Sequence, residues 1–83
     1  MRFPEVYTWD TGCTPKQQAI KALEEVSEVV EAVKAGSKVL SLEEIMDVVQ
    51  ALGNLCAMQG YSTDDLMKAY GRVLKKNVLR GYC

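Results

Sequence analysis

The sequence predicts an all-α fold, a small antiparallel helical bundle completed by oligomerisation. Three observations lead there: helix-start chemistry recurs three times, apolar residues keep a helical period between those starts, and no segment reads as a strand. With 83 residues the chain has room for a single domain, 1–83. A chain of that size buries only about 60 to 65% of the surface its unfolded form exposes, which leaves it marginal on its own. Yet 48% of the residues are apolar. Part of that apolar surface is therefore expected to cover a neighbouring subunit, in a homodimer or homotetramer.

Residues 1–13, with Phe3, Pro4, Tyr7 and Trp9, are aromatic and lack a helical period. They read as an arm packed over the bundle or over a partner. Its rings have two readings: a staple that holds the arm down, or a surface, Trp9 or Tyr7, on which a base stacks. The first helix, about 15–35, starts at Thr14-Pro15-Lys16-Gln17, where a hydroxyl stands at the N-cap, proline at the first helical position and an amide at the third. Ala35-Gly36-Ser37 stops it. Within it Ala22, Leu23, Val26, Val29, Val30 and Val33 share one side, and Lys21, Glu24, Glu25, Glu28 and Glu31 the other.

Ser41-Leu42-Glu43-Glu44 repeats the capping box and predicts a second helix over about 42–59, closed by Gly60. Leu42, Ile45, Met46, Val48, Val49, Leu52, Leu55, Cys56 and Met58 wrap nearly all round it, so it is expected to be largely buried. Ser62-Thr63-Asp64-Asp65 opens a third helix over about 63–79. Linkers, repeats and low-complexity stretches are absent.

Cys13, Cys56 and Cys83 show no C-x-x-C spacing, and no histidine is present to complete a zinc site. They read as free thiols in a reducing compartment. No apolar run is long enough to span a bilayer and no signal-peptide pattern opens the chain, so a cytoplasmic protein without a membrane or nucleic-acid partner is expected.

The chemistry lies in the acids. Glu25-x-x-Glu28 occupies the first helix and Glu44-x-x-Asp47 the second, and residues three apart on a helix project from one face. Two such helices side by side surround a common centre with four carboxylates. Hard oxygen-seeking cations such as Mg²⁺, or Mn²⁺ in its place, relieve the resulting repulsion. Asp47 argues hardest for this, since it lies past the cap in a helix expected to be buried, and a buried unpaired carboxylate costs several kcal/mol. Duller readings exist for the others: Glu44 closing the box onto Ser41, and Glu24, Glu25, Glu28 and Glu31 as a solvated face with Lys21 and Glu25 as an i, i+4 pair.

Charge is unevenly spread about a net of −1: after Asp65 every charge is positive, at Lys68, Arg72, Lys75, Lys76 and Arg80. A cation-holding cluster beside lysine and arginine suits a polyphosphate, whose oxygens bind both; a solvated helix whose basic end offsets its dipole is the alternative.

The run Gln18-x-x-Lys21-x-x-Glu24-Glu25-x-x-Glu28 followed by Glu44-x-x-Asp47 resembles the MazG-type all-α nucleoside triphosphate pyrophosphohydrolases, which share an E-E-x-x-E then E-x-x-D signature. The tail Lys75-Lys76-Asn77-Val78-Leu79-Arg80-Gly81-Tyr82 is similar to the lysine-asparagine-arginine segment that ends many short members. The resemblance covers the chain from about residue 14 onward. It implies Mg²⁺-dependent hydrolysis of a nucleoside triphosphate, a dNTP or non-canonical NTP, to the monophosphate and pyrophosphate. Glu25, Glu28, Glu44 and Asp47 would hold the metal, and Glu24 would keep an outer-shell water or a second ion. Lys21, Lys75, Lys76, Asn77, Arg80 and Trp9 would meet the substrate. In this family the active unit is commonly a dimer or tetramer with sites near subunit contacts. Without histidine, proton transfer from water falls to a carboxylate, Glu24 or Glu28. Phosphoribosyl-ATP pyrophosphohydrolases and dimeric dUTP or dCTP pyrophosphatases are similar in acids and helices. A non-catalytic helical dimerisation or adaptor module with an acidic groove is the alternative from another class.

Overall fold

Local capping chemistry sets the three helices. The structure is a computed structural model and describes residues 6–81; Phe3 and Pro4 of the arm, and Tyr82 and Cys83 of the tail, lie outside the described residues. Helix α1 spans Pro15–Lys34, α2 Lys38–Met58 and α3 Thr63–Arg80, and no strand occurs among the described residues. The Thr14 hydroxyl accepts from the Gln17 N–H at 3.1 Å and the Gln17 side chain accepts from the Thr14 N–H at 2.9 Å. Ser62 and Asp65 make the same reciprocal pair at the start of α3.

The second helix starts earlier than its sequence suggests. Ser37, not Ser41, is the N-cap, its hydroxyl accepting from the Leu40 N–H at 3.2 Å. Ser41 is then a mid-helix serine that donates back to the Ser37 carbonyl at 2.6 Å. The connection from α1 is therefore only residues 35–37, with Gly36 at φ 74° making the reversal that a Cβ would oppose. So short a link folds α2 back antiparallel to α1. Gln18 near the start of α1 donates to the Ala51 carbonyl in the latter half of α2 at 2.9 Å, which fixes the register.

The face that α1 turns to α2 is not its bulky one. Among the described residues, Ala22 and Ala32 on α1 and Ala51 on α2 are the buried apolar ones, joined by the buried amides Gln18 and Asn54. Leu23, Val26, Val30 and Val33, which share the apolar side of α1, are exposed, with Leu23 at 69%. At 100° per residue their stripe lies roughly 100° round the helix from the Gln18–Ala22–Val29–Ala32 line. Small residues let the backbones approach closely, and the amide bond at Gln18 locks that approach, so the valines are left facing outward. Helix α2, expected to be largely buried, is left open in the same way. Leu42, Ile45, Met46 and Leu52 are exposed in the single chain.

Helix α3 leaves this hairpin after Gly60, which takes φ 72°, and packs against neither α1 nor α2. None of its residues is buried. The result is an open shape of 38 × 36 × 21 Å. Among the described residues no helix is long and apolar enough to cross a membrane.

Candidate metal centre

The seam between α1 and α2 carries the acids because its packing residues are small. Glu25 and Glu28 stand on α1 between Ala22 and Ala32, and antiparallel pairing brings Glu44 of α2 opposite them. One carboxylate oxygen from each lies within 4.8 Å of the other two. An octahedral Mg²⁺ with bonds of 2.0–2.1 Å sets its ligand oxygens roughly 3 to 4 Å apart, so the triad stands near the spacing such an ion needs.

Environment distinguishes the three. Glu28 is exposed and Glu25 and Glu44 are half-buried. Lys21 lies 3.3 Å from Glu25 Oε1 and neutralises part of the cluster from one side. Glu44 has no such help: its Oε2 is shut off from solvent and has no hydrogen-bond partner. With Ser37 as the cap, Glu44 sits in the second turn of α2 and closes no capping box. That removes the duller reading of Glu44. An anionic oxygen buried without a donor is costly, and a hard cation is chemically suited to it. The donor set, all carboxylate and without sulfur or imidazole, fits Mg²⁺ or Mn²⁺.

The remaining expected residues distribute unevenly. Asp47, expected to be buried, is exposed and stands outside the triad, one turn beyond Glu44. Ala51 and Asn54 on the following turns are buried, Asn54 beneath the arm, while position 47 lies short of the arm's contacts at Gln50 and Asn54. Glu24 is exposed beside the cluster. Lys75, Lys76, Asn77 and Arg80 lie on α3, which does not reach the triad within one chain. Trp9 is half-exposed on the arm. Two open depressions, of about 400 Å³ at the hairpin tip and about 560 Å³ beside α3, are lined by none of the three glutamates.

Gln50, Gly53 and Asn54 carry no role in the sequence reading, and Gln18 enters it only within the acid run. Gln18 and Asn54 are almost wholly buried polar groups, Gln50 bonds to the arm, and Gly53 lies beneath Val6. A signal was present: Gln50 and Asn54 are the uncharged polar residues within the apolar run of α2, and Gly53 weakens a helix interior without an evident local reason. No family model, curated protein or solved structure matches this chain.

Proposed function

We propose that the α1–α2 seam binds a divalent cation and that the protein hydrolyses a nucleoside triphosphate to the monophosphate and pyrophosphate, as its resemblance to the MazG-type enzymes implies. The observation that carries this reading is Glu44 Oε2, buried and unpartnered at the edge of two further carboxylates. Glu25, Glu28 and Glu44 would hold the ion, and Asp47, one turn along α2, would supply the fourth carboxylate.

Bound there, Mg²⁺ would offset negative charge on the phosphate oxygens. The chain's own residues do the rest. Glu24 or Glu28 takes a proton from water, whose oxygen attacks the α-phosphorus. The bond from that phosphorus to the bridging oxygen breaks, and its electron pair leaves with pyrophosphate. Lys75, Lys76, Asn77 and Arg80 suit the phosphates and sugar by charge and hydrogen bonding. Because α3 lies apart from the hairpin in one chain, we assign their contribution to a second copy. The outward stripe Leu23, Val26, Val30 and Val33 supports that assembly, since a neighbour covering it would bury surface the single chain leaves wet.

The same uncovered stripes favour a second reading, a non-catalytic dimerisation or adaptor module whose acidic seam meets a basic partner. One panel separates the two. Canonical and modified nucleotides are incubated with the protein and Mg²⁺ or Mn²⁺, and pyrophosphate release is measured. Hydrolysis that Glu44→Gln removes supports the enzyme; no release from any nucleotide, with no site-specific heat on titrating the metal, overturns it. The panel also distinguishes a dNTP or non-canonical NTP from phosphoribosyl-ATP, dUTP or dCTP as substrate.

A further inference from the structure

We infer that Gln50, Gly53 and Asn54 form a seat on α2 that grips the N-terminal arm by its backbone and thereby presents the Trp9 indole to the base of a nucleotide. The ligand half of this inference rests on the function proposed above.

The seat pairs a buried amide, Asn54, with a half-buried one, Gln50. Asn54, 2% exposed, accepts the Trp9 backbone N–H through Oδ1 at 3.3 Å. Gln50 Nε2 donates to the Tyr7 carbonyl at 2.6 Å and to Asn54 Oδ1 at 3.3 Å. Between them Gly53 has no side chain, and Val6 uses the space: a Cβ on residue 53 would stand 3.1 Å from Val6 Cγ1 and 3.3 Å from its Cβ. Further along the arm, the Thr11 hydroxyl donates to Gln18 Oε1 at 3.3 Å. Gln18 in turn bonds to the Ala51 carbonyl, so the arm is tied to the seam itself.

What the grip leaves free is as telling as what it holds. Tyr7 is 84% exposed and Trp9 52%, so the rings are not what fastens the arm. Glycine in a helix interior costs about 1 kcal/mol relative to alanine. Here it admits a strap whose largest side chain stays half in water. The strap is held by its backbone while the indole stays half-exposed, which leaves the ring free to serve as a stacking surface. Its position suits a nucleotide. Asp47, Gln50 and Asn54 fall on one line of α2, and the rise from Asp47 to Asn54 is about 10 Å, comparable to the span between a base and its outer phosphates.

Gln50 and Asn54 are thus positioning residues, acting through Trp9. Trp9 is the one tryptophan in the chain, so its fluorescence reports the arm without reference to activity. In Asn54→Leu we expect lower anisotropy, stronger acrylamide quenching and a KM for nucleotide raised about ten-fold, the order lost with one stacked base, with kcat within two-fold. Gly53→Leu, which removes no hydrogen bond and keeps helix propensity, should free the arm by displacing Val6; helical circular dichroism checks that both variants fold. Unchanged anisotropy in Asn54→Leu and Gly53→Leu overturns the seat. A freed arm with unchanged KM overturns the presentation of Trp9 to a base. If the parent protein hydrolyses and binds no nucleotide, the proposed function fails and the base with it, while anisotropy still decides the seat.

Discussion

Glu44→Gln is expected to stabilise the metal-free protein and to abolish its response to Mg²⁺, two effects of opposite sign from one isosteric change. The oxygens of Glu25, Glu28 and Glu44 lie within 4.8 Å of one another. Two unit charges at that distance repel by about 3 kcal/mol at an effective dielectric of 20 and about 1 kcal/mol in bulk water. Glu44 takes part in two of the three pairs, which brackets its burden at roughly 2 to 6 kcal/mol. The Lys21 ammonium beside Glu25 and the exposure of Glu28 pull the figure toward the lower end. An amide at this position also removes the charge from the unpartnered, buried Oε2. The net expectation is a gain of about 1 to 3 kcal/mol, and each kcal/mol moves Tm by about 4–8 °C in a domain of this size. A specific ion at 100 times its Kd stabilises the parent by about 2.7 kcal/mol, and the variant should lose that increment. Thermal unfolding at fixed protein concentration, with EDTA and with millimolar Mg²⁺, measures both. A variant less stable than the parent in EDTA, or one that keeps the full Mg²⁺ shift, refutes the reasoning.

Three further outcomes follow from other parts of the molecule. Asp47→Asn should abolish pyrophosphate release while leaving helical circular dichroism intact, because the side chain is exposed and outside the folded seam; full activity would remove it from the site. Leu23→Lys, at a side chain 69% exposed in the single chain, should be neutral for a monomer but should lower the sedimentation coefficient and the Tm if a second copy covers the stripe. Asp65 is held below its ordinary value of 3.8, first by the hydrogen bond from the Ser62 backbone N–H and then by that from the Ser62 hydroxyl. A depressed folded value means its contribution is present above pH 3.8 and lost as pH falls through the folded pKa, so α3 helicity should decline in that acid window and the decline should be absent in Asp65→Ala.

Local chemistry was legible and relative orientation was not. Thr14 and Ser62 announce their helices because a hydroxyl, its third neighbour and the next N–H groups decide the matter within four residues. Ser37 and Ser41 are both competent caps, and only the tight turn at Gly36 selects the first. The acid pairs were legible as pairs, since i, i+3 spacing follows from helix geometry alone. Which of them meet depends on the roll of each helix about its axis. Apolar period groups Leu23 and Val30 on one side of α1 without deciding what covers that side; the alanine seam and the Gln18 bond to the Ala51 carbonyl leave it outward. The seat for the arm was illegible for a related reason. Gln50 and Asn54 recognise backbone atoms some forty residues away, and backbone atoms leave no trace in composition.

The same geometry ties the acids to the small core of the single chain. Alanines at 22, 32 and 51 bring the helices close enough for three carboxylates to converge, but they bury little apolar area, so the seam contributes little to offset the repulsion it creates. Larger residues there would deepen the core and spread the glutamates beyond one another's reach. Close approach and a strong core are therefore in conflict at this seam. A cation between the helices would relieve the first half of the conflict, and a neighbour on the Leu23–Val33 stripe would relieve the second. Metal binding and assembly are therefore expected to be coupled, since the neighbour on that stripe is also the copy assigned to bring Lys75, Lys76 and Arg80 to the acids.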